Sequence, residues 1–86
     1  MNNKITAVIP VLNEEKAIEK VVSELENYCE NIIIVNDGST DNTKEILNKL
    51  SKTYGRKLLI IDNKKNMGIG YSMKAGFKKS LDFDNS

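Results

Sequence analysis

The stretch IIIVNDGSTDNT, residues 32–43, decides the fold class of this chain. Its four β-branched apolar residues form a continuous run, which is typical of a strand covered on both faces of a parallel sheet. An acid, a glycine and several polar residues follow at once, and Asn42 with Glu45 has the spacing of a capping box. The pattern therefore predicts a buried strand that ends in an acid and turns sharply into a helix.

Two similar units flank this stretch. Residues 4–9 are predicted to form a strand that Pro10 ends, and Asn13 would then cap the next helix. Residues 58–61 form another apolar run, followed by a loop rich in turn-forming residues and by a third helix. The β-α-β-α-β-α order predicts a parallel sheet with right-handed crossovers. We expect one α/β domain over residues 1–86, a three-layer α/β/α sandwich with strand order 3-2-1.

Each predicted helix has one apolar face, which we expect to pack on the sheet. Gly55 is expected to cap the second helix at its carboxyl end. The apolar positions are Ala17, Ile18, Val21, Val22 and Leu25 in the first helix, Ile46, Leu47, Leu50 and Tyr54 in the second, and Ile69, Met73 and Phe77 in the third.

Composition narrows the classes of function. The net charge of +1 gives no overall electrostatic basis for binding nucleic acid. One cysteine and no histidine exclude a disulfide, a Cys/His zinc site and a Ser-His-Asp or Cys-His catalytic group within these 86 residues. The first 15 residues have neither the pattern of a signal peptide nor that of a membrane span, so we expect a cytoplasmic location.

Polar side chains follow each predicted strand. Ligands of open parallel sheets bind outside the carboxyl ends of the strands, so these segments should meet at one rim. Neither the dinucleotide fingerprint nor the P-loop pattern is present. An acid such as Asp37 at a strand end can accept hydrogen bonds from a sugar hydroxyl or a base N–H.

Three motifs taken together, VIPVLNEE, IIIVNDGSTDNT and NKKNMGIGYSMKAG, resemble the family-2 glycosyltransferases of the GT-A fold. The closest similarity is to the polyprenyl-phosphate, dolichol-phosphate mannose synthase-like branch. The resemblance implies the Rossmann-like, N-terminal half of a GT-A enzyme. It implies transfer of a hexose from a UDP- or GDP-sugar to a polyprenyl phosphate or another glycan acceptor, at the cytoplasmic face of the membrane in a full-length parent enzyme.

The resemblance also assigns residues to the nucleotide sugar. The segment after the first strand would contact the nucleoside, Asp37 would read the base edge, and Gly38 would form the turn that directs Asp37. A basic residue of the third segment would approach the phosphates. The implied contacts are Pro10, Leu12, Asn13, Glu14, Asp37, Gly38, Asn66, Gly68 and Lys74.

In this family a divalent cation, Mg²⁺ or Mn²⁺, is held by a D-x-D motif after a fourth strand and neutralises the leaving diphosphate. Residues 82–84 read Asp-Phe-Asp, but they follow a predicted helix rather than an apolar strand. We therefore assign no metal ligand and no catalytic residue here. The 86-residue chain is expected to be inactive alone.

Two alternatives remain open from the residues. A signalling receiver domain shares the β-α-β order, and Asp62 would then be its phosphoacceptor. A three-stranded sheet also leaves an exposed edge, which favours a self-associating, non-catalytic module.

Overall fold

The structure of the protein, a computed structural model, describes residues 5–84, and the side chains of residues 5–81. All three strands are parallel, and β2 lies between β1 and β3. This arrangement confirms the predicted α/β fold with strand order 3-2-1. The elements in chain order are β1 (Thr6–Val11), α1 (Ile18–Leu25), β2 (Asn31–Asp37), α2 (Thr43–Tyr54), a 3-10 turn (Gly55–Lys57), β3 (Leu58–Asn63) and α3 (Ile69–Asp84).

Helices cover both faces of the sheet. Helices α1 and α2 lie on one face, whereas α3 packs over β1 and β2 on the other. The four apolar residues of β2 are at most 1% exposed, because β2 is central and covered on both faces. The buried cluster beneath α1 and α2 consists of Val11, Ile18, Val22, Cys29, Ile32, Ile34, Leu47, Leu50 and Leu58.

The beginning of the chain differs from the prediction in two places. Pro10 does not end β1 but lies inside it, paired in register with Val35. A proline is tolerated there because β1 is an edge strand of the described sheet. Asn13 does not cap α1, which starts at Ile18 after a turn in which the Glu14 carbonyl accepts the N–H of Ala17 and of Ile18.

Helix α3 presents a different face to the sheet from the one predicted. Ser72 is fully buried and Gly76 is buried, whereas Ile69 and Phe77 are 72% and 58% exposed. A Cβ atom at Gly76 would lie 2.2 Å from a Val8 methyl carbon, so the helix backbone lies very close to β1. The small residues therefore define the buried face. No helix within residues 5–84 combines the length and the apolar character needed to span a membrane.

Candidate functional site

A cavity of about 430 Å³ opens at the carboxyl ends of β1 and β2. Its volume lies in the range of small-molecule sites. It brings together six of the nine residues predicted for the nucleotide sugar, and adds Val11 and Ile69, to which the resemblance assigned no contact. The lining residues are Pro10, Val11, Leu12, Glu14, Asp37, Asn66, Gly68 and Ile69.

Asp37 lies at the end of β2 and is only 4% exposed. Three donors converge on the carboxylate. Oδ1 accepts the Asn63 amide at 2.9 Å and the Met67 N–H at 2.7 Å, and Oδ2 accepts the Gly68 N–H at 3.0 Å. Asn63, to which the resemblance assigned no contact, occupies the matching position on β3 and also donates to Ser72.

These hydrogen bonds stabilise the charged form of Asp37. The Met67 N–H contributes most, followed by the Asn63 amide, and together with the other donors they hold the pKa of Asp37 below its ordinary value although burial opposes this. A carboxylate that remains charged is a strong acceptor for N–H groups. Asp37 therefore anchors the loop between β3 and α3 and also lines the cavity.

Gly38 supports the same loop from below rather than lining the cavity. Its φ angle of 77° lies in the left-handed region, where glycine is strongly favoured. A Cβ atom at this position would lie 2.5 Å from the carbonyl carbon of Lys65 and 2.6 Å from the backbone nitrogen of Asn66. Glycine is thus needed here both for the turn and for the close approach of the loop.

Asn13 joins the first two loops of the rim instead of lining the cavity. Its N–H donates to the Ser39 hydroxyl at 2.9 Å, and its Oδ1 accepts the backbone N–H of Thr40 at 2.8 Å and of Asp41 at 3.3 Å. Its own φ angle is 54°, a conformation that asparagine adopts more readily than most residues. In this structure Asn13 positions the rim, and its contact with a nucleotide remains a prediction.

Asp41 and Thr43 form a second link between these loops that the sequence analysis missed. The fully buried Thr43 hydroxyl accepts the Glu14 N–H at 2.9 Å, and an Asp41 oxygen accepts the Glu15 N–H at 3.3 Å. Burial opposes ionisation of Asp41. Hydrogen bonds from the Thr43 hydroxyl, the Thr43 N–H and the Glu15 N–H nevertheless lower the pKa of Asp41 below its ordinary value.

The capping box predicted at the start of the second helix does not form. Asn42 makes no side-chain cap, and Asp41 accepts the Thr43 N–H instead.

Lys74 lies outside the cavity. It is exposed on α3 and borders a separate depression of about 240 Å³ with Tyr71, Ala75 and Lys78. The structure therefore does not bring Lys74 together with the other predicted residues. Its contact with the donor phosphates remains a prediction.

The described side chains do not fit a bound metal ion. No group of three histidine, cysteine, aspartate or glutamate side chains within residues 5–81 is arranged to hold one. Asn36, the residue before Asp37, is an amide rather than an acid and donates to Asp62 at 3.1 Å. Residues 82–84 form the end of α3, and their side chains lie outside the described part.

The sheet and its helices form a Rossmann-like α/β fold, and the cavity at the carboxyl ends of the parallel strands is a candidate ligand site. A family model described as glycosyl transferase family 2 matches residues 6–82. The chain therefore belongs to glycosyl transferase family 2. The match confirms the family resemblance of the three motifs and favours it over the receiver-domain alternative.

Relatives in three organisms support the branch as well. The chain is 37% identical over 90 residues to a UDP-N-acetylglucosamine–dolichyl-phosphate N-acetylglucosaminyltransferase of Methanococcus voltae, covering 91% of this chain and 36% of the relative. It is 35% identical over 83 residues to a dolichyl-phosphate beta-glucosyltransferase of Trichomonas vaginalis, covering 84% and 25%. It is 29% identical over 84 residues to an undecaprenyl-phosphate 4-deoxy-4-formamido-L-arabinose transferase of Proteus mirabilis, covering 91% and 26%.

These names confirm the predicted resemblance to the polyprenyl-phosphate branch. The chain spans between a quarter and about a third of the length of these three relatives.

Proposed function

We propose that this chain is the donor-binding region of a glycosyltransferase that moves a hexose from a nucleotide-diphosphate sugar to a polyprenyl phosphate. The observation that carries the proposal is the cavity at the ends of β1 and β2, where six residues implied by the family motifs converge. The acceptor is inferred from relatives that are named for dolichyl phosphate and undecaprenyl phosphate. A lipid acceptor also favours a location at the cytoplasmic face of a membrane.

The cavity offers complementary groups to a nucleoside. Leu12 is 40% exposed and Ile69 is 72% exposed, so both offer apolar surface to the flat face of a base or to a ribose ring. Asp37 supplies an anionic acceptor among them, and Glu14 a second carboxylate at the rim. This combination of apolar walls with few polar groups is typical of sites for small organic ligands.

The chemical step is proposed to need parts beyond those described here. A divalent cation would neutralise the departing diphosphate, but the described side chains provide no place for it. Nor do we assign a general base to this region. We therefore propose that the 86-residue chain binds the donor without transferring the sugar, and measurable transfer by the purified chain would contradict this.

We also propose that the isolated chain self-associates through the edges of its sheet. In the described part, β1 and β3 each pair on one side only. An open edge offers unpaired backbone groups to another strand. Sedimentation at several concentrations should show a dimer or larger species, and a monomer throughout would argue against it.

The binding proposal is tested by titrating the chain with UDP and GDP, with and without Mn²⁺, using isothermal calorimetry. Asp37→Ala should weaken binding about tenfold or more, since it removes the charged acceptor of the cavity. Asp62→Ala is the matched control, because Asp62 is the next-to-last residue of the neighbouring strand and does not line the cavity. Binding that is unchanged in Asp37→Ala, or no binding of either nucleotide, would contradict the proposal.

A further inference from the structure

We propose that the outer face of α3 docks on an anionic membrane surface, with the helix lying in the plane of the bilayer. This outer face consists of the exposed side chains that point away from the sheet, namely Tyr71, Lys74, Phe77, Lys78 and Leu81. The proposed donor-binding function uses none of them except Lys74. The proposal therefore concerns a surface beside the cavity and not the recognition of the nucleotide.

Packing on the sheet fixes which side of α3 points outward. Ser72 and Gly76 are buried where the helix backbone lies close to β1. With 3.6 residues per turn, successive side chains are about 100° apart, so Lys74 lies on the side of the helix opposite Ser72 and Gly76. The other four residues of the outer face lie within about 60° of Lys74 around the helix axis. They therefore form one continuous surface.

This outer face exposes large apolar side chains. Phe77 is 58% exposed, Leu81 57% and Tyr71 51%. Phe77 and Leu81 are one helical turn apart, and they line a depression of about 470 Å³ together with Lys74 and Lys78. An exposed apolar patch bordered by polar groups is typical of a surface that contacts a protein or a membrane.

Positive charge is concentrated in the same part of the chain. Residues 63–81 contain five lysines and no acid, and with the two acids that end α3 the segment 63–84 has a net charge of +3. Residues 5–62 contain seven basic and ten acidic residues, a net charge of −3. Lys74 and Lys78 form no ion pair with any side chain that the structure describes. The lysines of the segment are Lys64, Lys65, Lys74, Lys78 and Lys79.

The combination of lysines with apolar side chains favours an anionic membrane as the partner. A helix that lies in the plane of a bilayer inserts its apolar side chains among the lipids, while its lysines reach the headgroup phosphates along flexible stems. A second copy of the chain in a two-fold contact would instead place Lys74 and Lys78 opposite like charges, which repel each other. Charge complementarity thus selects the membrane.

Docking in this orientation places the cavity beside the membrane. Ile69 is the first residue of α3 and lines the cavity. With α3 in the plane of the bilayer, the cavity lies near the lipid headgroups, where the phosphate of a polyprenyl phosphate is also found. This consequence rests on the proposed function, whereas the docking itself does not.

Vesicle flotation of the 86-residue chain tests the docking without a mutation. The chain should float with vesicles made of equal parts phosphatidylglycerol and phosphatidylcholine, and stay in solution with vesicles of phosphatidylcholine alone. Added NaCl should release it, because salt screens charges at a surface. Equal flotation with both kinds of vesicle, or flotation with neither, would overturn the proposal.

A charge reversal tests the part played by the lysines. A lysine near an anionic membrane strengthens binding about fivefold, so Lys78→Glu should weaken binding to the mixed vesicles by about tenfold or more. Lys49→Glu, on the exposed surface of α2, makes the same change in net charge and should bind as the unmodified chain does. An equal loss in the two variants would mean that the outer face of α3 has no special role.

A truncation tests the part played by the apolar side chains. Phe77→Ala should weaken binding to the mixed vesicles by about tenfold, since it removes a side chain that would be buried among the lipids. Tyr28→Ala is the matched control, because Tyr28 is 76% exposed but lies beyond the end of α1. Circular dichroism checks that both variants are folded. A folded Phe77→Ala chain that binds vesicles as tightly as the unmodified chain contradicts the proposal.

Two further measurements separate this proposal from the others. Sedimentation of Phe77→Ala tests a second copy as the partner, because weaker self-association with unchanged vesicle binding would assign the outer face to a dimer and overturn the docking. Titration with UDP and GDP needs no lipid, so it reports on the proposed function alone. A chain that binds a nucleotide but no anionic vesicle would overturn the docking and leave the donor-binding proposal standing.

Discussion

The two faces of the sheet are covered in different ways. Beneath α1 and α2, Ile32 and Ile34 of β2 pack into a cluster of large aliphatic side chains. On the other face α3 approaches with small residues, Ser72 and Gly76, and leaves large apolar ones exposed. Asp37 belongs to this second side, where it holds the loop that leads into α3.

The difference separates the main source of stability from the candidate site. Burial of apolar surface is the main favourable term in folding, and most of the large buried side chains lie under α1 and α2. The α3 face instead depends on close backbone packing and on hydrogen bonds to one carboxylate. We conclude that the first face contributes most of the stability, whereas the second contributes Asp37 to the cavity.

The largest expected effect comes from the first face. Leu47 is fully buried against the sheet, so Leu47→Ala should lower the free energy of unfolding by about 2–5 kcal/mol. Phe77→Ala, a larger truncation on the exposed surface of α3, should change it by less than about 0.5 kcal/mol. Urea unfolding followed by circular dichroism measures both. An equal loss in the two variants would show that the faces do not differ in this way.

A smaller effect is expected where α3 meets β1. Gly76→Ala puts a Cβ atom against Val8, so the helix must shift, and we expect a loss of about 1–3 kcal/mol in unfolding free energy. Gly70→Ala is the matched control, because a Cβ atom there meets nothing within 4 Å. It should be neutral or slightly stabilising. A Gly76→Ala chain as stable as the unmodified one would contradict the close packing.

The smallest expected effect is on how stability depends on pH, through the Asp37 carboxylate. Because the folded pKa of Asp37 lies below its ordinary value, this group contributes stability above the unfolded pKa, near 3.8, which is lost as the pH falls through the folded pKa. Thermal unfolding between pH 6 and pH 2 should therefore depend less on pH in Asp37→Asn. Part of the dependence should remain, since the pKa of Asp41 is lowered as well.

The control for this profile is Phe77→Ala, which changes no titrating group and should keep the slope of the unmodified chain. An Asp37→Asn chain with that same slope would mean that the charge of Asp37 does not stabilise the fold.

Much of the fold could be predicted because the signals were local. The run before Asp37 predicts a buried strand, and the faces of the first two helices are largely those expected. Two predicted positions of the first helix differ, since Ala17 is exposed and lies before α1, and Val21 is 36% exposed. Gly55 does cap α2, with a φ angle of 60°. The third helix was misjudged because its apolar spacing suggested Ile69 and Phe77 as the buried face. The short distance between α3 and β1 decides which face of α3 is buried. Hydrophobic periodicity along the sequence does not reveal that distance.

The candidate site was predicted less completely for a related reason. The ends of parallel strands must meet at one rim, so residues such as Asp37 and Asn66 could be grouped from the sequence alone. Asn13 could be assigned to the rim but not to its actual partners, the N–H groups of Thr40 and Asp41. These contacts join residues 27 and 28 positions apart, and no local pattern specifies them.

The sequence by itself determined the order of strands and helices, the family, and the acid at the end of the central strand. These depend on hydrophobic periodicity and on motif order, which are properties of the chain. Only the tertiary structure decided that Asp37 accepts hydrogen bonds from Asn63, Met67 and Gly68. The physical reason is that hydrogen bonds depend on distance and direction between groups far apart in the chain, and these are fixed only when the sheet and α3 pack together.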